Sequence, residues 1–149
     1  MAPPDLVVED DPDPADVAWL EARIIDQNAA ATGHDGEMQL AVFVRDEHGA
    51  IVAGIYGWTW GGCCELQHLW VDESRRGEGL ATALITAAEA EATRRGCGQI
   101  VLFTHAANAG PDGAGWTRRG YELVGRVDDY PLGDAALWFR KPLDPTTSG

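Results

Sequence analysis

The segment with the clearest chemistry is a loop rich in glycine and arginine near the middle of the chain. It reads Arg75-Arg76-Gly77-Glu78-Gly79, follows an apolar stretch that ends at Val71, and precedes a helical pattern that begins at Leu80. Glycines between a strand and a helix let backbone N–H groups converge on an anion, and the helix dipole adds positive potential. The loop matches neither a Walker motif nor a full dinucleotide fingerprint. It is predicted to bind a pyrophosphate; the alternative is an ordinary glycine turn.

Two titratable side chains lie on the apolar stretch before this loop, Glu65 and His68. Either can accept a proton, and the pKa of a histidine is ordinarily close to neutral. Successive strand residues alternate between faces, so at most one of the two is expected at a given site unless a bulge intervenes. The alternatives are a solvated strand carboxylate for Glu65 and a packed ring for His68.

An acceptor site is suggested by aromatic and acidic residues. Trp58 and Trp60 share one face of a predicted strand, with Tyr56 in register. Such a wall can hold a cationic or apolar group, although half-buried core packing is the alternative. Asp129 precedes Tyr130 in an acidic turn, where a carboxylate either attracts an ammonium group or is simply exposed.

Composition restricts the class of protein. Acidic residues outnumber basic ones 24 to 11, giving a formal net charge of −13, and 45% of residues are hydrophobic, as in globular domains. This charge excludes nucleic acid and anionic membranes as main partners but is compatible with a cationic substrate. Three cysteines (Cys63, Cys64 and Cys97) lack paired spacing, so neither a disulfide framework nor a metal site is expected. Without a signal-like or membrane-spanning segment, the predicted location is cytoplasmic.

The elements that position these residues follow from hydrophobic periodicity. Predicted are a strand at 6–8, a helix at about 14–31, strands at 40–44, 51–59 and 64–71, a helix from 80 to about 95, a strand at 100–103, a short helix near 116, and strands at about 121–128 and 135–141. The three strands before the glycine loop predict an antiparallel meander, and the strand–loop–helix–strand unit predicts a parallel crossover. We expect a single α/β domain over 1–149, with an acidic segment at 1–13 and a flexible tail at 143–149.

The glycine loop in this setting resembles the Gcn5-related N-acetyltransferase (GNAT) superfamily. Arg76, Gly79 and Ala81 match its signature Q/R-x-x-G-x-G/A, and Gly120-Tyr121 is similar to its closing Gly-Phe/Tyr. The order of elements resembles the family over nearly the whole chain. The resemblance implies a mixed, mostly antiparallel central sheet of about six to seven strands flanked by helices. It also implies acetyl-CoA as acyl donor, with no metal, and extends by analogy to a homodimer.

The resemblance also implies which residues contact the cofactor. The loop and first helical turn would give backbone amides to the pyrophosphate, the preceding strand would hydrogen-bond the pantetheine arm, and two downstream residues would contact CoA. These residues are Leu69, Trp70, Val71, Arg76, Gly77, Glu78, Gly79, Leu80, Ala81, Thr82, Asn108 and Trp116.

For the chemistry, Glu65 stands where many members carry a Glu that acts as base, with His68 as the alternative. Trp116 stands where many carry a Tyr that protonates the departing thiolate, and an indole is no useful acid near neutral pH. The proton would then come from Tyr130, Tyr121, His105 or water.

The predicted reaction is acetyl transfer from acetyl-CoA to a primary amine, by direct attack in a ternary complex. Trp58, Trp60 and Asp129 would contact the acceptor, a small amine or a peptide amine. Two alternatives are an inactive CoA-binding regulatory module, which the Trp at 116 favours, and a flavodoxin-like phosphate binder with a wholly parallel sheet.

Overall fold

A computed structural model describes residues 4–110 and 113–144, and the chain divides after Asp35 into two compact units. The first unit contains helix α1 (Pro14–Thr32), close to the predicted range. The Asp13 side chain accepts a hydrogen bond from the Ala15 amide at 2.9 Å, and Gly33 ends the helix at φ 76°. The strand predicted at 6–8 is wrong. Those residues join no sheet ladder, and a strand without a neighbouring strand leaves its backbone groups unpaired.

The second unit is built on one six-stranded sheet, ordered β1-β2-β3-β4-β6-β5. Its strands are β1 (Met38–Arg45), β2 (Ile51–Trp60), β3 (Cys63–Val71), β4 (Gln99–His105), β5 (Glu122–Asp128) and β6 (Ala135–Pro142). Only β3 and β4 pair in parallel; all other neighbours are antiparallel. The predicted mixed, mostly antiparallel sheet is confirmed, and the wholly parallel flavodoxin-like alternative is excluded.

Helix α2 (Leu80–Arg94) is the crossover between β3 and β4, and it covers one face of the sheet. Its apolar side buries Leu84, Ile85, Ala88 and Ala92 against a core that includes Leu40, Ile55, Cys64, Leu66, Ile100 and Leu102. Arg95 follows the helix and donates to Thr59 Oγ1 and to the Gln39 carbonyl, each at 3.1 Å. The carboxyl end of the helix is thereby tied to β1 and β2.

A β-bulge interrupts the pairing of β2 with β3. Tyr56 lies opposite His68, but Gly57 lies opposite Leu66, so Gln67 is the extra residue. An extra residue reverses the alternation of side chains beyond it. Consequently Glu65, opposite Trp58, and His68, opposite Tyr56, lie on the same face of the sheet.

Two short helices follow β4: α3 (Ala106–Ala109), which sequence periodicity did not indicate, and α4 (Ala114–Thr117), the helix predicted near residue 116. At the carboxyl end, the Leu143 amide donates to the Gly98 carbonyl at 2.8 Å, while 145–149 of the predicted tail lie outside the described residues. Within the described ranges, no helix is long and apolar enough to cross a membrane.

Candidate active site

The central feature of the second unit is a cleft where β3 and β4 separate. The two strands pair only from Cys63 to Leu66 and from Gln99 to Leu102. Beyond that point each pairs only with its outer neighbour, β2 or β6, so two half-paired strand edges face a cleft of about 1160 Å³. This exceeds the range of about 300–1,000 Å³ typical of small-ligand sites. Unpaired backbone groups along such an edge can bind an extended ligand as an added strand would.

One end of the cleft is closed by the glycine loop and the amino terminus of α2. Gly77 and Gly79 have φ of 83° and 78°, a backbone region that disfavours other residues. The first amides of a helix have no acceptor within it. Here Ala83 donates to the Gly79 carbonyl at 3.0 Å, and Gly79, as the N-cap, has no side chain to accept the earlier amides. The loop therefore presents free N–H groups at the positive end of a helix dipole, which fits a phosphate.

The arginines of the loop differ in their partners. Arg75 forms a bidentate ion pair with Glu78, with N···O distances of 2.7 and 3.0 Å. This pair lowers the pKa of Glu78 and occupies its side chain, and Glu78 does not line the cleft. Arg76 does line the cleft, and its Nε donates to the Val71 carbonyl at 3.4 Å. Arg76 therefore carries a positive charge beside the helix terminus that no carboxylate among the described residues compensates.

Another part of the cleft wall comes from α3, α4 and the residues after α4. Asn108 and Trp116, two of the residues predicted to contact CoA, line the cleft, and so does Arg119. The Trp116 ring contacts Tyr121 edge-on, with 5.2 Å between ring centroids. Tyr121 is buried, its hydroxyl has no hydrogen-bond partner among the described residues, and burial raises its pKa. Tyr121 ionises less readily than a solvated phenol and does not line the cleft. It is therefore a poor source of the proton that a departing thiolate would take up.

Glu65 and His68 lie on the sheet face opposite α2. His68 lines the cleft and stacks with Tyr56, with 6.2 Å between ring centroids. Glu65 is half-buried on the strand that borders the cleft, but it is not among the residues that line the cleft. Partial burial and, secondly, the negative charge of Glu37 raise the pKa of Glu65. A carboxylate with a raised pKa is a stronger base than a fully solvated one.

Further aromatic residues occupy this same face, which we call the aromatic face and define by Tyr56, Trp58, His68, Phe103 and Trp138. Phe103 lies 4.9 Å from Trp138 between ring centroids and also lines the cleft. The cleft therefore opens toward the aromatic face. A molecule bound on the aromatic face could reach a ligand bound in the cleft.

The residues predicted to hold an acceptor, and Tyr130 among the possible proton donors, lie outside the cleft lining. Trp58 and Trp60 are half-buried on β2. Asp129, at φ 58°, is in the β5–β6 turn, where its carboxylate accepts the Gly133 amide. Tyr130 is exposed, and its carbonyl lies 3.0 Å from Nδ1 of His105, which does line the cleft. The structure brings the predicted cofactor residues other than Glu78 together along the cleft, whereas these four are distributed around them.

The three cysteines are not arranged for chemistry. All are free thiols, and burial raises the pKa of each, that of Cys64 to about 12. A raised pKa removes the thiolate that a nucleophile needs. Among the described residues, no three His, Cys, Asp or Glu side chains converge in a way that could hold a metal ion.

The sequence alone singled out neither Arg119 nor Phe103, both of which line the cleft. For Phe103, the available signal was its position at the end of an apolar strand that lies beside the glycine loop in the predicted fold. For Arg119, the available signal was an arginine directly before Gly120-Tyr121, but nothing in the spacing places it against the loop more than 35 residues earlier.

Comparisons with known proteins agree with this geometry. Residues 5–111 match the model of the acetyltransferase (GNAT) family. An acetyltransferase of Agrobacterium fabrum is 29% identical over 134 residues, covering 85% of this chain and 95% of its own. A candidate acetyltransferase of Agrobacterium tumefaciens superposes with a TM-score of 0.82 at 26% identity, covering 93% of this chain and 99% of that one.

A third similar structure, a candidate streptothricin acetyltransferase of Bacillus anthracis in complex with acetyl coenzyme A, has a TM-score of 0.62 at 19% identity. It covers 72% of this chain and 64% of its own. The family match spans well over half of the sequence. It includes the glycine loop and both strands, β3 and β4, that separate at the cleft. The chain is therefore a member of the GNAT family of acetyltransferases.

Proposed function

We propose that this acetyltransferase moves the acetyl group of acetyl-CoA to a primary amine by direct attack within a ternary complex. The observation that carries the proposal is the cleft between β3 and β4, closed by free amides of the glycine loop. The amides suit a diphosphate and the half-paired edges suit the amides of a pantetheine arm. When bound, acetyl-CoA supplies a thioester as the acyl donor.

The chain's own residues would bind the donor and handle protons. Arg76 and the amides of Gly77–Thr82 would hold the phosphates, and the edge at Leu69–Val71 would orient the arm. Glu65, whose pKa is raised, would accept the proton of the amine, directly or through a water molecule, with His68 on the same face as the alternative base. Asn108 and Trp116 would close the far side of the donor site.

The acceptor would approach from the aromatic face. Trp58 and Trp60 are half-buried on the strand beside Glu65, and a ring face can attract an ammonium group. The B. anthracis structure is of a candidate streptothricin acetyltransferase, which supports a small amine as one class of acceptor to test. Tyr130 and Asp129 would belong to the acceptor side through the contact between the Tyr130 carbonyl and His105.

The test is calorimetric binding of CoA followed by thiol release from acetyl-CoA over a panel of amines. We expect Gly79→Glu to weaken CoA binding at least about tenfold, because it places a carboxylate at the phosphate site. Gly96→Glu is the matched control. Gly96 follows the other end of α2, has φ 83°, and has the same open space around its Cα.

Both variants impose the same backbone strain, so only the first should lose affinity. Equal CoA affinity in the two would contradict the loop assignment. Binding of CoA without thiol release for any amine would contradict the proposed transfer while leaving the cleft as a CoA site.

A further inference from the structure

We propose that Arg119 is a second cationic contact for the phosphates of CoA, supplied from the segment that follows α4. This inference rests on the proposed function, since it concerns the same donor site. It starts from the position of the side chain: Arg119 follows α4, is half-buried, and lines the cleft together with Arg76 and Thr82.

The contacts of Arg119 fix its guanidinium group beside the helix terminus. Nη1 donates to the Gly115 carbonyl at 2.8 Å, and Nη2 donates to Thr82 Oγ1 at 2.9 Å. A guanidinium has five N–H donors, so each terminal nitrogen keeps one more N–H after these bonds. Because Thr82 accepts from Arg119, its own hydroxyl hydrogen remains available as a donor. The two side chains together form a preorganised donor group next to the free amides.

The charge of Arg119 is the unusual feature of this arrangement. Thr82 is in the first turn of α2, and a cation at the positive end of a helix dipole is unfavourable. Both hydrogen-bond partners of Arg119 are neutral, and no described carboxylate pairs with it, although the chain has 24 acidic residues. Arg75, in contrast, is neutralised by Glu78. Two uncompensated arginines, Arg76 and Arg119, therefore flank a helix amino terminus, and an anion between them would relieve the repulsion.

Part of the side chain is also buried without an acceptor. The Nε atom of Arg119 is inaccessible to solvent and has no hydrogen-bond partner among the described residues. An unpaired buried donor has a free-energy cost, and the remaining contact of the guanidinium group is with the Trp116 ring, 6.0 Å from the ring centroid. A contact with a phosphate would supply a reason for an arginine here, because guanidinium groups bind phosphate oxygens through paired N–H donors.

The experiment compares wild type, Arg119→Gln, Arg119→Lys and Arg118→Gln. Arg118 is the matched control, since it is adjacent in sequence, exposed, and outside the cleft lining. Calorimetry gives the affinity for CoA and for dephospho-CoA, and the shift in unfolding temperature at millimolar ligand gives a readout for pantetheine. We expect Arg119→Gln to weaken CoA binding about tenfold, Arg119→Lys to weaken it less, and Arg118→Gln to leave it unchanged. The slope of CoA affinity against salt should become shallower in Arg119→Gln alone.

The ligand series identifies the phosphate concerned. An equal loss for CoA and dephospho-CoA assigns Arg119 to the pyrophosphate, and a loss confined to CoA assigns it to the 3′-phosphate; either supports the inference. Pantetheine has no phosphate, so its effect should be the same in all variants. A parallel loss of pantetheine binding would show that Arg119 only supports the shape of the cleft.

The Arg119→Gln substitution removes a repulsive charge together with the hydrogen bonds to Gly115 and Thr82, so the unfolding temperature of each unliganded variant is measured as the reference for its ligand-induced shift. If Arg119→Gln does not fold, the test uses the CoA affinity of Arg119→Lys and the dependence of that affinity on salt. Wild-type CoA binding with unchanged affinity in both Arg119 variants would overturn this inference alone. No CoA binding by wild type would overturn the proposed function as well.

Discussion

Glu65 is placed so that its environment favours proton uptake. It is half-buried on β3, and the carboxylate of Glu37 acts on it from nearby; both raise its pKa. We expect Glu65→Gln to lower kcat by about 100-fold, the lower range for losing a general base, with CoA affinity unchanged. Steady-state kinetics and calorimetry check this, with Glu47→Gln in the β1–β2 turn as a control carboxylate. Wild-type turnover in Glu65→Gln would transfer the base role to His68 or to water.

The charge of Glu37 allows a second, independent test of Glu65 as the general base, by the pH dependence of the rate. Removing it by Glu37→Gln lowers the pKa of Glu65, so the base remains deprotonated to a lower pH. The acidic limb of the kcat/KM profile should therefore move toward lower pH, and the plateau rate should change little. An unmoved acidic limb would indicate that Glu65 does not govern it. The shift needs no contact between Glu37 and either substrate.

At the scale of elements, the bulge between β2 and β3 determines which side chains share the aromatic face. Gly57 makes this bulge possible: a Cβ there would lie 2.0 Å from the Glu65 carbonyl oxygen and 2.9 Å from the Leu66 Cα. Backbone atoms cannot move aside as the end of a side chain can. Because the strands are so close at this point, residue 57 must be a glycine. The same close approach sets the geometry around Glu65.

We therefore expect Gly57→Ala to lower the free energy of unfolding by roughly 2–3 kcal/mol, the upper range for overpacking, and to lower kcat as the bulge shifts. Gly54→Ala on the same strand is the matched control, since its Cβ would crowd the exposed ring of Phe43, at 2.9 Å, and would meet the backbone only at the Val42 carbonyl oxygen, at an ordinary 3.5 Å. That variant should lose less than about 1 kcal/mol. Urea titration measures both. Equal losses would mean that the bulge tolerates a methyl group.

Sequence patterns were sufficient for elements whose signal is local. The period of apolar residues placed α1 and α2 to within two residues, and the glycines at 77 and 79 marked the turn into α2. The bulge at Gln67 was not predictable, because it depends on how β2 and β3 pair and not on the residues of β3 alone. The role of Arg119 was hidden for the same reason, since its hydrogen bond to Thr82 joins residues 37 positions apart. The segment at 6–8 had a strand composition but no partner strand.

At the scale of the whole molecule, the local charge at the cleft is opposite in sign to the net charge of the chain. The chain has a formal charge of −13, yet two uncompensated arginines line the cleft at the donor end. A local positive site in a negative molecule binds an anionic donor by short-range contacts. A cationic acceptor, in contrast, is attracted at long range by the rest of the surface. The two substrates of the proposed reaction would then respond to salt through different parts of the molecule.

This difference predicts how acceptor preference changes with ionic strength. Raising the salt concentration from about 20 to about 200 mM shortens the screening length from about 20 to about 7 Å, which removes attraction from distant carboxylates. We expect the kcat/KM ratio of a diamine to a monoamine of equal chain length to fall roughly threefold or more, because the second ammonium doubles the attraction. Both are measured at saturating acetyl-CoA, so that the donor's own salt dependence cancels from the ratio. A ratio independent of salt would mean that the net charge of −13 does not act on the acceptor, and that selectivity depends only on contacts at the aromatic face.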